Sequence, residues 1–156
     1  MIQTVVYEHD QVDREIAFEQ ISDVIQQPRN LVWVDVEQPT PEDLEALRRE
    51  FGFHPLSLED VSHGHQRPKI DDYGSYFFVV TKAIRYDPRS IQIDLVEISH
   101  FIGSNYVVTV HDGSCSALDD ALARVRAHRE TGNQAAFNKR MRVVADDVTI
   151  LAGAGF

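Results

Sequence analysis

Residues 31–36 read LVWVDV, a nearly continuous apolar run of strand length. A strand with one wet face would alternate, so this run predicts a strand buried on both faces rather than one skin of an open sheet. Asp35, a carboxylate near its end, stands out. Immediately afterwards Thr40, Pro41, Glu42 and Asp43 make a helix start: a hydroxyl for the N-cap, proline at the first helical position, and acids facing the helix dipole. Leu44, Leu47 and Phe51 then line one face, and Gly52 can supply the left-handed residue that closes the helix. His54 and Pro55 open a second short helical segment, running through Leu58 to about Val61. Ser62 to Pro68 (SHGHQRP) reads as a polar turn.

Working outward, Met1 to Tyr7 (MIQTVVY) is β-branched and uncharged, a first strand. From Phe18 to Gln27 the residues Phe18, Ile21, Val24 and Ile25 recur at helical spacing before Pro28 closes the segment. On the other side, Tyr73 to Tyr86 and Ile91 to Ile102 flank Asp87-Pro88 and predict a long antiparallel hairpin. Asn105 to His111 adds a further strand through the Gly103-Ser104 turn, without an intervening helix. Ser116 caps the next helix, with Leu118, Leu122 and Val125 on its buried face. From Gln134 onward Phe137, Met141, Val144, Val148 and Leu151 recur at steps of four and three, a helix with a narrow apolar stripe suited to packing on another chain. Ala152 to Phe156 carries no cap and reads as a cut end.

The 156 residues fit one ordinary domain, and 43% hydrophobic with 26% charged residues is the balance of a globular protein. A net charge of −10 repels nucleic acid and anionic lipid, and makes cations the natural partners. Cys115 is the sole cysteine, which excludes an intrachain disulfide and a cysteine-based structural zinc site. No signal-peptide layout opens the chain, and the longest stretch free of Asp, Glu, Lys and Arg is the 14 residues from Ile98 to His111. A membrane-spanning helix needs roughly 20 predominantly apolar residues, so the chain as given is not expected to cross a membrane.

Glu59 and Asp60 are adjacent acids at the end of a short helix, where the dipole disfavours negative charge, and a hard cation such as Mg2+ or Ca2+ would relieve them. A solvated acidic pair is the simpler reading, and Asp71-Asp72, Asp119-Asp120 and Asp146-Asp147 are equally bare. His63 and His65, with His54 nearby, suggest either a transition-metal site or exposed loop histidines. His111 beside Asp112 and Cys115 imitates a nucleophile and base, but nothing orders the three. Arg67 and Lys69 form the compact basic cluster and are best read as ion-pair partners for Asp71, Asp72 or nearby acids. No phosphate loop, zinc-protease motif or EF-hand loop is present, so no catalytic residue is assigned and the chain is not expected to be an enzyme.

Taken together, WVDVEQPTPEDLEALRREFGFHPLSLEDVSHGHQRPKIDDYGSYFFVV resembles the cytoplasmic N-terminal domain of the CorA family of magnesium transporters. The resemblance rests on Trp33 in its strand, the acidic helix, His54 to Leu56, Leu58 to Asp60, His65 to Lys69, and Tyr76 to Val80, in that order. With NYVVTVH and the helix from Leu118 to Arg126, it extends over roughly Leu31 to His128. It implies an α/β domain over residues 1–130, an α/β/α sandwich with a central mixed sheet, succeeded by a divergent helical tail over 131–156 as the start of a stalk helix. It further implies a homopentamer of copies of this chain at the cytoplasmic face of the cell membrane, reaching the membrane only through segments absent from this sequence. Regulatory Mg2+ would sit between neighbouring subunits, with Co2+ or Zn2+ as alternatives. Glu59 and Asp60, by their place in the Leu-Glu-Asp motif, would be metal ligands, and Asp147 corresponds to an acidic pair near the start of the stalk. The Gly-Met-Asn signature of the family's pore entrance is absent, and Glu130 to Arg142 departs from the family pattern. Two other readings stand beside this one: a zinc-transporting relative using His63 or His65, and a soluble interaction module whose tail docks a partner through Phe137, Met141 and Val144.

Overall fold

The LVWVDV run is the middle of the molecule. In the computed structural model, which describes residues 1–8, 11–12, 16–87, 89 and 91–127, it forms strand Leu31–Glu37, whose five central residues are all buried. Among the described residues seven strands make one sheet: β1 (Ile2–Glu8), β2 (Gln11–Val12), β3 (Leu31–Glu37), β4 (Lys69–Asp72), β5 (Phe77–Asp87), β6 (Gln92–Ile102) and β7 (Tyr106–His111), in the order β2-β1-β3-β7-β6-β5-β4. β3 and β7 are parallel and every other described pair is antiparallel, so the sheet is mixed. The central parallel pair sets Trp33 beside Val107, Asp35 beside Thr109 and Glu37 beside His111.

Both faces are covered, as a strand without alternation requires. One face carries α1 (Ile21–Ile25), α2 (Pro41–Phe51) and α3 (Pro55–His63), which close over Val32, Val34, Val36, Phe78, Phe101 and Val108 through Ile21, Leu47, Phe53 and Leu58. Burying each such side chain stabilises the fold by about 1.5–3 kcal/mol. On the other face α4 (Ser116–Ala127) sets Leu122 over Val5, Trp33 and Val107. The arrangement is an α/β/α sandwich around a mixed sheet.

Local chemistry explains the helix ends. The Thr40 hydroxyl accepts from the Asp43 N–H at 3.2 Å while the Asp43 carboxylate accepts from the Thr40 N–H at 2.9 Å, a reciprocal cap at the start of α2. Gly52 ends it at φ 70°, where a side chain would be strained.

Four expectations need correction. Phe18 to Gln27 is not one helix: a 3-10 turn over Phe18–Gln20 leads into the five residues of α1. Ser62 and His63 belong to α3 rather than to the polar turn. Tyr73 to Tyr76 is the turn of a β4–β5 hairpin, closed by the Tyr73 N–H on the Tyr76 carbonyl at 3.0 Å, so the strand begins at Phe77. The carbonyl of Cys115 accepts from the amides of Leu118 and Asp119, which makes Ser116 the first residue of α4 instead of its cap. The tail helix and its apolar stripe lie outside the described residues.

Candidate metal site

α3 carries Glu59 and Asp60, and the residues that precede it set its position. The His54 ring nitrogen Nδ1 accepts from the Leu56 N–H at 3.2 Å, making His54 the N-cap, and Pro55 fills the first helical position. The His54 N–H donates to the Tyr76 hydroxyl at 2.9 Å, and that hydroxyl also shares a 2.9 Å hydrogen bond with Ser57. Tyr76 stacks on Tyr73 with ring centroids 5.0 Å apart, and Phe53 stacks on Phe101 at 4.0 Å. These contacts pin the start of α3 to the β4–β5 turn and leave its last turns facing outward.

Glu59 and Asp60 point to different neighbours. The Glu59 side chain is 57% exposed, with His63 Nδ1 3.9 Å away on the next turn of the same helix. Asp60 is 27% exposed and accepts from the Lys69 ammonium at 2.6 Å. Lys69 also reaches Asp71 at 2.8 Å and lies 5.5 Å from the centre of the Phe78 ring. Partial burial works against the charge of Lys69, but the hydrogen bonds to Asp60 and Asp71 outweigh it and raise its pKa. Of the basic cluster, Lys69 is thus the ion-pair partner of nearby acids, shared between Asp60 and Asp71.

Carboxylate oxygens are the donors that Mg2+ prefers. Their number does not close a site here: among the described residues no group of three or more His, Cys, Asp or Glu side chains could hold a metal ion. Asp147 lies outside the described residues, as does Asp146. Asp72 is engaged in its turn, accepting from the Gly74 N–H at 2.7 Å. His54 is used as a cap, and His63 and His65 are exposed, His65 with φ 57°. A cation at Glu59 and Asp60 would draw its remaining ligands from solvent or from groups beyond these residues, and would compete with Lys69.

A second cluster lies on the α4 face of the sheet, and the spacing of the sequence hides it. The parallel pairing of β3 and β7 brings Asp35 to His111, whose Nε2 is 3.3 Å from the Asp35 carboxylate, while His111 Nδ1 donates to the Gly113 carbonyl at 2.6 Å. The Trp33 indole N–H donates to the Thr109 hydroxyl at 3.0 Å, and that hydroxyl donates to Asp35. Both His111 ring nitrogens face acceptors, which favours the imidazolium. Burial opposes that charge, yet the Asp35 carboxylate and the Gly113 carbonyl prevail and raise the His111 pKa. In the neighbouring strand His100 is buried, bonds Thr81 through Nε2 at 2.9 Å and leaves Nδ1 without a partner. Its burial pushes the pKa down to about 4. The signal in the sequence was Asp35 itself, since a charge inside an apolar run needs a buried partner. His111 bonds across the sheet and not with Cys115, which is itself buried.

Comparison with known proteins adds identity to this geometry. The family profile described as "CorA-like Mg2+ transporter protein" matches residues 28–148. The cobalt/magnesium transport protein CorA of Thermotoga maritima is 33% identical over 79 residues, covering 51% of this chain and 22% of that protein. A putative metal ion transporter of Bacillus subtilis, YfjQ, is 38% identical over 89 residues, covering 56% of this chain and 26% of its own length. The chain therefore matches about a quarter of each of these relatives. Among solved structures, the complete CorA magnesium transporter of Methanocaldococcus jannaschii superposes with a TM-score of 0.57 at 17% identity, over 81% of this chain and 38% of that one. That likeness is one of fold. No helix among the described residues is long and apolar enough to cross a membrane.

Proposed function

The chain belongs to the CorA-like Mg2+ transporter family, and from that premise we propose that it is the cytoplasmic, metal-sensing domain of a divalent-cation transporter. In this role the chain binds a cation and catalyses nothing. In the full transporter, copies of this domain stand side by side as a pentamer on the cytoplasmic face of the membrane, and Mg2+ at Glu59 and Asp60 bridges neighbours, with Asp147 as a further ligand. Co2+ is the alternative cargo and regulator.

The observation that carries the proposal is the state of α3. Its last turns present an exposed Glu59 and a partly exposed Asp60 without a ligand set closed among the described residues, as expected of half a site shared between chains. A bound cation would neutralise carboxylates that face one another across subunits, and its loss would leave like charges that push the domains apart. Lys69 acts as the resident counter-ion: it holds Asp60 when the metal is absent and must yield it when the metal arrives. Zinc is less well suited, because His63 and His65 lie in no cluster of ligands among the described residues.

Sedimentation velocity in chelator, then in millimolar Mg2+, tests the reading. Mg2+-dependent association that Asp60→Asn abolishes, with the fold intact by circular dichroism, is the expected result. Association that persists unchanged in Asp60→Asn would remove Asp60 from the mechanism.

A further inference from the structure

Strands β5 and β6 outrun the rest of the sheet. β4 pairs only with residues 77–80 and β7 only with residues 98–102, so residues 81–87 and 92–97 pair with each other alone, as a two-stranded ribbon about 20 Å long. Its two faces are treated differently. Ala83 and Val96, directly opposite each other, turn towards α4, where Val96 packs with Ile98 and Cys115. The next pair, Ile84 and Leu95, falls on the other face, in the row that begins with Phe78 and Phe101 under α2 and α3. That cover stops early: Val61 and Gly64, at the end of α3, lie beside Glu97 and Ser99. Past them Ile84 is 72% exposed, Ile93 68% and Leu95 65%. The Lys82–Glu97 ion pair at the base is only 27% and 17% exposed, so charge lies inward and apolar groups outward, the reverse of a ribbon made for water. Apolar residues on both faces go with cover on both faces in β3, and here one cover is missing.

A second copy of the chain fits this face in charge, shape and area. The whole chain carries −10, but within residues 82–97 Lys82, Arg85 and Arg89 balance Asp87, Asp94 and Glu97, so copies can meet here without the repulsion that opposes contact elsewhere. A half-turn about an axis across the strands lays one apolar row on the other and leaves the α1–α3 layers of the two copies at opposite ends, clear of each other. Three such side chains offer roughly 300 Å2 per copy, well under what a stable complex buries, so the contact is a weak one. We propose that the apolar face of the β5–β6 ribbon, formed by Ile84, Ile93 and Leu95, is a two-fold self-association surface that pairs two copies of this chain. The contact lies apart from Glu59 and Asp60, needs no Mg2+ and does not rest on the metal-sensing reading. Being two-fold, it links copies across rings rather than within one.

Sedimentation velocity of the full chain in chelator, over a concentration series, tests the contact. The native chain should be monomeric at about 10 μM and dimerise with a dissociation constant of about 0.1–1 mM. Ile84→Asp combined with Leu95→Asp, both at exposed positions, should raise that constant at least about tenfold with the circular dichroism spectrum unchanged. Asp60→Asn in chelator should leave it as it is, which separates this contact from the metal site. Ile93→Cys reports the contact independently: mild oxidation at high concentration should link two copies by a disulfide, and Leu56→Cys, exposed on α3, should give several-fold less, while the native Cys115 is buried. A native chain still monomeric at about 1 mM in chelator would overturn the proposal, as would a dimer that the paired aspartates leave intact. Slow thiol labelling of Ile93→Cys in dilute monomer would also overturn it, since this chain itself would then cover the face.

Discussion

Asp35 and Asp60 each meet a cationic side chain, yet the two pairs sit in opposite environments. Asp35 is 8% exposed at the centre of the sheet, where its carboxylate takes the Thr109 hydroxyl and faces His111. Asp60 lies on the rim, shares Lys69 with Asp71 and keeps contact with solvent. A charge in the first position cannot be left alone, because no water can replace its partner. A charge in the second can exchange one cation for another at small cost. The two carboxylates therefore differ in access to water, not in residue type, and only the one on the rim suits the proposed response to metal.

The sharpest way to break this contrast is to remove a partner from each pair. Asp35→Ala leaves His111 facing no carboxylate inside the sheet, and should lower the unfolding free energy by about 3–5 kcal/mol in urea denaturation. A loss under about 1 kcal/mol would mean that the central pair is as replaceable as the one on the rim.

Acid should act on the same region through His100. Its folded pKa is depressed to about 4 while the unfolded chain titrates near 6.5, so the unfolded state binds the extra proton between those values. Stability should fall as pH drops through that window, by about 3 kcal/mol in all, and His100→Leu should flatten the slope. His111 runs the other way. Its raised folded pKa gives stability that is complete below about 6.5 and is lost as pH climbs through the folded value. Opposed slopes place the stability maximum near pH 6.5, and a chemical-denaturation series over pH would show whether it lies there. A profile rising steadily to about pH 8 would exclude the His111 contribution.

On the rim the expected changes in stability are smallest. Lys69→Met should cost no more than about 1 kcal/mol, because the pair is partly solvated. It should strengthen Mg2+ binding by roughly tenfold, since the resident counter-ion no longer competes for Asp60. Weaker Mg2+ binding in this variant would mean that Lys69 positions Asp60 for the metal rather than guarding it.

These differences also mark what the sequence makes legible. LVWVDV announces a strand covered on both faces because burial removes alternation, and the Thr40-Pro41 start of α2 is visible because its hydrogen bonds are local. Edge strand β4 (KIDD) escaped detection: it needs only one partner strand, exposes half its residues and carries Asp71 and Asp72, which have little strand preference. The ordered motifs around His54, Leu58 and Lys69 made the family readable, and the profile match over residues 28–148 agrees with them. The Asp35–His111 pair stayed hidden because the residues are 76 positions apart and meet only through the parallel register of β3 with β7. For Glu59 and Asp60 the motif marks the position, and the fold adds their unequal exposure and the lysine between Asp60 and Asp71.

The most direct test of the division between structural and responsive carboxylates is an NMR titration of the native chain with Mg2+, tracking side-chain carboxylate carbons and the Lys69 ammonium. The account predicts that Glu59, Asp60 and Lys69 signals move together over the millimolar range while Asp35 and the His111 ring stay fixed. Movement at Asp35 and His111 with Asp60 silent would contradict it.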